Sequence, residues 1–313
     1  MTFTKPFLEI SKTDTNLAGG KGASLGEMTQ AGIVVPPGFV VIAPTFDQFL
    51  KETNLVQEVE IQLDQVNYDD INSVEHVSST IRDLICNACL PKNIEEEIMN
   101  SFKELGSEFV AVRSSATAED SSTASWAGEL ESFLNTTEKT ILDNVKNCWA
   151  SLFTPRAVVY RNEKGMRKSY VSVAVVIQKM VNSEISGICF TVHPVTKDQN
   201  QMIIESCWGL GEYIVGGVVT PDSYIINKSD ITILDIRVSE QEIMLIRKEE
   251  GGNEQAQVSK DKQNQQKLNQ SEIFELAKIC QNIEKHYGFP CDIEWARESG
   301  IFYVVQSRPV TTL

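Results

Sequence analysis

CDIEWARESGIFYVVQSRP, residues 291–309, reads as two β-type runs joined by a turn at Glu298-Ser299-Gly300. Side chains alternate across a strand, so Asp292 and Glu294 share one side while Ile293 and Trp295 take the other. Gln306 and Arg308 share a side of the second run in the same way. A three-residue loop with glycine at the left-handed position sets residue 292 opposite residue 306. Two carboxylates, an amide and a guanidinium are then gathered on one surface. Hard oxygen ligands of this kind suit Mg2+, which takes one or two protein carboxylates and fills its shell with phosphate and water. Asp292, Glu294 and Gln306 are the candidate ligands; a solvated strand face is the alternative.

Outward from this hairpin, a helix beginning at Ser271 ends at Gly288. Residues 249–270 are rich in Gln, Asn and Lys, with almost no apolar anchor, and read as a mobile surface loop. Upstream, SGICFTVHP, QMIIESCW, SYIINK and ITILDIRV are β-type segments, and VSVAVVIQKM has the near-continuous branched character of a central strand. The N-terminal half opens as loop, helix and strand. A mostly helical, acidic stretch follows at about 46–106, then a strand at Phe109–Val112. Helices are predicted near Glu138–Phe153 and after Thr154-Pro155. The fold class is α+β. Two subdomains are expected, 1–182 with the helical insertion at 46–106, and 183–313 carrying the metal and nucleotide ligands.

The 313 residues hold 28 basic and 43 acidic side chains, a net charge of −15, and 42% are apolar. That composition supports a core and excludes a disordered tail or a disulfide-stapled mini-protein. The acidity argues against nucleic acid and anionic membranes as partners. No basic leader and no apolar run of about 18 residues is present, so a cytoplasmic, reduced protein is expected. Cys86 and Cys89 form a CxxC at the end of an amphipathic helix and are read as buried structural thiols.

GGKGASLG, residues 19–26, has neither Walker A nor Rossmann spacing. It still offers backbone N–H groups and Lys21 to an anion, or else forms a tight turn with a solvated lysine. Arg113 ends an apolar strand among small hydroxyl residues, with room for a bidentate phosphate contact; a salt bridge to Glu119 or Asp120 is the alternative. His76, His193 and His286 lack metal-ligand spacing.

GGKGASLGEM, VPPGFVV, VAVRSSATAED, CWASLF, GICFTVHP, ESCWGLGE, TPDSY, DIEWA and VQSRPVT stand in this order from about residue 17 to 312. Together they resemble the ATP-binding domain of the phosphoenolpyruvate synthase, pyruvate phosphate dikinase and rifamycin phosphotransferase family. The resemblance implies an ATP-grasp-like fold clasping Mg-ATP between sheets. It implies that Lys21, Arg113 and Arg308 hold phosphates, and that Glu294 and Gln306 serve magnesium and the nucleotide. Gln178-Lys179-Met180-Val181 resembles the hinge that contacts adenine, and Glu205 the residue that meets ribose. Gly128 lies in a lid over the phosphates, where Glu129-Leu130 replaces the amides such enzymes often carry.

The implied role is the ATP-binding part of a dikinase-type phosphotransferase. In that pattern a histidine on a separate domain or partner chain takes the β-phosphoryl group, AMP and phosphate leave, and an acceptor-substrate domain completes the transfer. No histidine here stands in a phosphohistidine-like context, so both domains are expected in trans or missing from this chain. A stand-alone ATP sensor without turnover is the alternative, and an acyl-phosphate-forming ligase ranks below it. The acceptor and the oligomeric state are not encoded.

Overall fold

In the computed structural model, the branched apolar runs become two antiparallel sheets, each in its own compact unit. The structure describes residues 2–117, 130–165 and 172–310, and the backbone alone at 120–121 and 124–125. One unit comprises Met1–Glu27 and Pro37–Met180, the other Met28–Pro36 and Val181–Leu313.

The first unit contains β1 (Thr4–Pro6), α1 (Thr15–Gln30, whose last three residues fall in the second unit), β2 (Gly38–Val41), α2 (Ala43–Glu52), α3 (Leu55–Asp64), α4 (Ile71–Asn87) and α5 (Lys92–Leu105). It continues with β3 (Val110–Ala116), β4 (Asp120–Ser121), β5 (Ala124–Ser125), β6 (Ser132–Thr136), α6 (Ile141–Ala150), α7 (Pro155–Glu163) and β7 (Val173–Lys179). The main sheet runs β1-β2-β7-β3-β6, so the branched strand β7 is central. One face carries Phe39, Val41, Val110, Val112, Val173, Val175 and Ile177, all buried under the helices. Each such side chain contributes about 1.5–3 kcal/mol when fully removed from water. Helix α4 buries Val74, Val77, Ser78, Ile81 and Ile85, the three-and-four spacing of an amphipathic helix. Trp149 of α6 completes the layer, with its ring 4.9 Å from Phe49 and 5.5 Å from Phe46.

The second unit contains β8 (Ile185–Phe190), β9 (Gln201–Trp208), α8 (Glu212–Val215), β10 (Asp222–Asn227), β11 (Thr232–Arg237), β12 (Ile243–Arg247) and β13 (Asn253–Gln257). It ends with α9 (Gln270–Tyr287), β14 (Cys291–Glu298) and β15 (Ile301–Pro309). Its sheet runs β11-β10-β9-β8-β14-β15, with β12 and β13 paired apart. Asn269 and Glu272 form a capping box on α9, and Gly288 ends it at φ 78°. The helix packs on β9 and β14 through Ile273, Leu276, Ala277, Cys280 and Ile283. All-antiparallel strands with helices in their own layers make the architecture α+β.

Several expectations need correction. The β14–β15 loop has two residues, Ser299 and Gly300, both at positive φ (51° and 82°), because that turn matches the twist of the strands. One extra residue, Val305, then shifts the register, so Asp292 faces Arg308 and Glu294 faces Gln306. Residues 249–270 are no free loop: β13 pairs with β12, and Val258, Lys267 and Leu268 are buried. Helix α1 runs through the glycine stretch with a single break at Gly19. Strand β3 continues past Val112 to Ala116. All seven cysteines are free; Cys86 is half-buried, donating to Asn147 Oδ1 at 3.3 Å, but Cys89 is exposed beyond the end of α4.

Candidate functional site

In the second unit, the pairing of four strands decides which side chains meet. Glu205 of β9 lies opposite Ile188 of β8, Ile188 opposite Glu294 of β14, and Glu294 opposite Gln306 of β15. Directly paired residues project to the same side of a sheet. Two residues further along, the row is Ile203, Phe190, Asp292 and Arg308, on that same side. The reverse side holds Ile204, Cys189, Ile293 and Trp295, which are buried. The sheet therefore separates an apolar face from one bearing three carboxylates, an amide and a guanidinium.

Arg308 grips one oxygen of Asp292: Nε donates at 2.9 Å, and Nη2 lies 2.7 Å from the same Oδ2. Oδ1 is buried without a hydrogen-bond partner. Burial raises the Asp292 pKa above its ordinary value, Arg308 pulls it back down, and Glu294 adds a further push upward. Glu205 is raised as well, by burial first and by the charge of Asp292 second. These groups sense one another electrostatically, so a cation placed among them would relieve both strains. Among the described residues, no group of three or more His, Cys, Asp or Glu side chains is arranged to hold a metal.

In the first unit, Arg113 and Ser115 of β3 project away from the helix-covered face, alongside Val40, Val176 and Gln178 of the neighbouring strands. Helix α1 lies on this side, because a Cβ on Gly22 would stand 3.1 Å from Val40 and 3.6 Å from Val176. Gly19 adopts φ 65°, ψ 178°, which breaks the helix and starts a fresh N-terminus just before Lys21. Lys21 and Arg113 are both half-buried. Gln178 is buried, Lys179 donates its N–H to Pro37 O at 2.8 Å, and Met180 donates to Phe109 O at 3.0 Å. Met180 is the last residue of the first unit, and the main segment of the second begins at Val181. Gly128, and the side chains of Glu119, Asp120 and Glu129, lie outside the described residues.

A cluster that composition concealed sits behind Glu205. Lys267 Nζ meets Asp222 Oδ1 at 2.7 Å with neither side chain exposed, and donates to Ser239 O at 2.6 Å. Asp222 also accepts from Tyr224 Oη at 3.0 Å, and Ser206, beside Glu205, bonds Tyr224 at 3.3 Å. Gln241 clasps both the N–H and the carbonyl of Trp208, at 2.8 and 3.1 Å, which holds the strand end after Glu205. A lysine in a polar tract carries no sign of such burial.

His76 and His286 are exposed, and His193 Nδ1 accepts the N–H groups of Val195 and Thr196 within its turn. No helix among the described residues is long and apolar enough to cross a membrane.

Residues 15–313 match the family described as pyruvate phosphate dikinase, AMP/ATP-binding domain. The chain is similar to a probable phosphoenolpyruvate synthase of Methanocaldococcus jannaschii, 44% identical over 97% of this chain and 26% of that protein. It is similar to another from Methanothermobacter thermautotrophicus, 45% identical over 98% of this chain and 46% of that protein. A rifampicin phosphotransferase of Bacillus subtilis is 39% identical over 97% of this chain and 35% of its own length. The chain thus spans between about a quarter and just under half of these curated relatives.

Proposed function

Because the chain belongs to the pyruvate phosphate dikinase AMP/ATP-binding domain family, we propose that it binds Mg-ATP on an ATP-grasp-like fold and supplies the β-phosphoryl group to a histidine on another domain. The observation that carries this reading is the polar face of the second unit, where Glu205, Glu294 and Gln306 form one row and Asp292 and Arg308 the next. Such a face presents oxygen donors to a cation and a guanidinium to a phosphate. Asp292 Oδ1, buried and unbonded, has the chemistry of a ligand for a small hard cation. With so few carboxylates, magnesium would rest on Asp292, Glu294 and Gln306 and take its remaining ligands from phosphate and water. When bound, magnesium neutralises charge on the phosphates.

Lys21, Arg113 and Arg308 carry the rest of that neutralisation. Against a net charge of −15, few cations are positioned to draw a polyphosphate in, and phosphoryl transfer needs alignment and positive charge more than a protein nucleophile. Glu205 would meet the ribose. Gln178 to Val181 would border adenine, with Met180 acting through its carbonyl or side chain, since its N–H is occupied by Phe109 O. The acceptor histidine belongs elsewhere, because His76, His193 and His286 stand on a helix, in a turn and near a helix end, without a small-residue setting.

Calorimetry on the Glu294→Ala variant tests the reading. It removes a half-buried carboxylate of the polar face rather than core, so Mg-ATP affinity should fall at least tenfold while the melting temperature barely moves. Gln306→Ala should act in the same direction but more mildly. Unaltered Mg-ATP affinity in Glu294→Ala would remove the basis of the metal assignment.

A further inference from the structure

Two successive serines follow Arg113 and point in opposite directions from β3. Ser114 Oγ donates to Glu131 O at 2.8 Å and contacts Ser151 Oγ at 3.0 Å, which ties the strand to the helical layer. Ser115 points the other way, toward α1, and is fully buried. The Gly22 N–H donates to its Oγ at 3.3 Å. That N–H belongs to the first turn after the Gly19 break, and N–H groups in a helix's first turn lack the regular partner four residues back. A helix start is usually capped by the residue before it; this one is capped from a strand more than ninety residues away.

The fit is close from both sides. A Cβ on residue 19 would stand 2.2 Å from Ser115 Oγ and 2.4 Å from Ser115 O. Residue 19 must therefore be glycine on steric grounds, as well as for its φ of 65°. Ser115 lies two residues from Arg113, on the same side of the sheet. One hydroxyl thus touches the segment bearing Lys21 from the strand bearing Arg113.

We propose that Ser115 is a positioning residue, which fixes the Lys21 segment against the Arg113 strand so that both cations act on one polyphosphate. This deepens the Mg-ATP reading and rests on it. Two cations on separate elements gain little from each other if their elements drift. A buried hydrogen bond between those elements removes that freedom before the ligand arrives. Ser114 secures the same strand to the opposite layer and does not touch α1, which makes it the natural control.

The test is calorimetric titration of wild type, Ser115→Ala and Ser114→Ala with ATP and with AMP, both in magnesium. Loss of one buried hydrogen bond predicts about three- to tenfold weaker ATP binding in Ser115→Ala. AMP lacks the two outer phosphates, so its affinity should change less than twofold. Ser114→Ala should weaken both nucleotides to the same extent, whatever its melting temperature. Unchanged ATP affinity, or equal loss for ATP and AMP, in Ser115→Ala overturns the proposal. In a Lys21→Ala background, Ser115→Ala should add less than twofold; a full effect there overturns it too. Amide exchange in nucleotide-free wild type needs no variant: Gly22 should be protected, and exchange at the rate of an open loop would refute the joint. A wild-type chain without affinity for Mg-ATP would instead strike the reading beneath, and Gly22 exchange would still decide the joint.

Discussion

Replacing Lys267 with methionine removes an ammonium from a site with no exposed side-chain surface, while the stem keeps much of its volume. The lost group donates to Asp222 Oδ1 at 2.7 Å and to Ser239 O at 2.6 Å. Asp222 would keep the N–H groups of Ser239 and Lys267 and the Tyr224 hydroxyl, each between 2.9 and 3.0 Å, but lose its cationic partner. Breaking a buried pair from one side costs about 3–5 kcal/mol, because the remaining charge is stranded. At roughly 3 °C per kcal/mol, the second unit should melt about 9–15 °C earlier. Scanning calorimetry reads this directly, and a urea titration followed by tryptophan fluorescence checks the free energy. Lys228→Met is the comparison: its pair with Glu284 at 2.6 Å is 14% and 18% exposed and its Nζ also donates to Thr191 O at 2.8 Å, so a smaller loss of about 1.5–3 kcal/mol is expected. A loss below about 1 kcal/mol for Lys267→Met would show that the network does not hold this unit together.

Other outcomes follow from the same structure. Arg113→Ala should lose about 2–4 kcal/mol of triphosphate or transition-state stabilisation, and Arg113→Lys should recover it only in part, since a point charge cannot reproduce a planar fork; full recovery in binding and turnover would refute a bidentate role. Burial pushes the thiols of Cys148 and Cys291 up to about 12 and that of Cys207 to about 11. Maleimide at pH 8 should therefore label exposed Cys89 first and leave the five buried cysteines untouched until unfolding, as mass spectrometry of timed samples would show. These raised values also carry a sign. Between pH 9 and 12 the folded chain keeps protons the unfolded chain has lost, so each of Cys148 and Cys291 should cost about 1.4 kcal/mol of stability per pH unit there. A flat stability profile across that window would contradict their burial.

How much could be read in advance depended on whether a local pattern carried the information. The shared side of Asp292, Glu294, Gln306 and Arg308 follows from strand periodicity alone, and a bulge displaces residues without changing which of these side chains share it. The register is not legible in the same way, because Ser299 sits at φ 51°, a conformation its identity does not announce, and Val305 looks like any strand residue. Glycine lowers helix propensity, yet α1 runs from Thr15 through the glycines; Ser115, too distant in sequence to be suspected, bonds the Gly22 N–H where the helix resumes after Gly19. Residues 249–270 hide their order for a related reason. Their anchor is a buried lysine whose partner, Asp222, lies 45 positions away, and composition cannot reveal a pair. Glu205 shows the same limit: its place in a row with Glu294 is set by two intervening strand pairings.

The most direct measurement is a calorimetric titration of the wild-type chain with ATP, once in magnesium and once with the metal chelated. Glu294, Gln306 and the unbonded oxygen of Asp292 lie on one polar face with Arg308. The expected result is saturable binding of one nucleotide per chain in magnesium, and binding at least tenfold weaker without it. No heat of binding in either condition, or equal affinity in both, would contradict a site built to hold Mg-ATP.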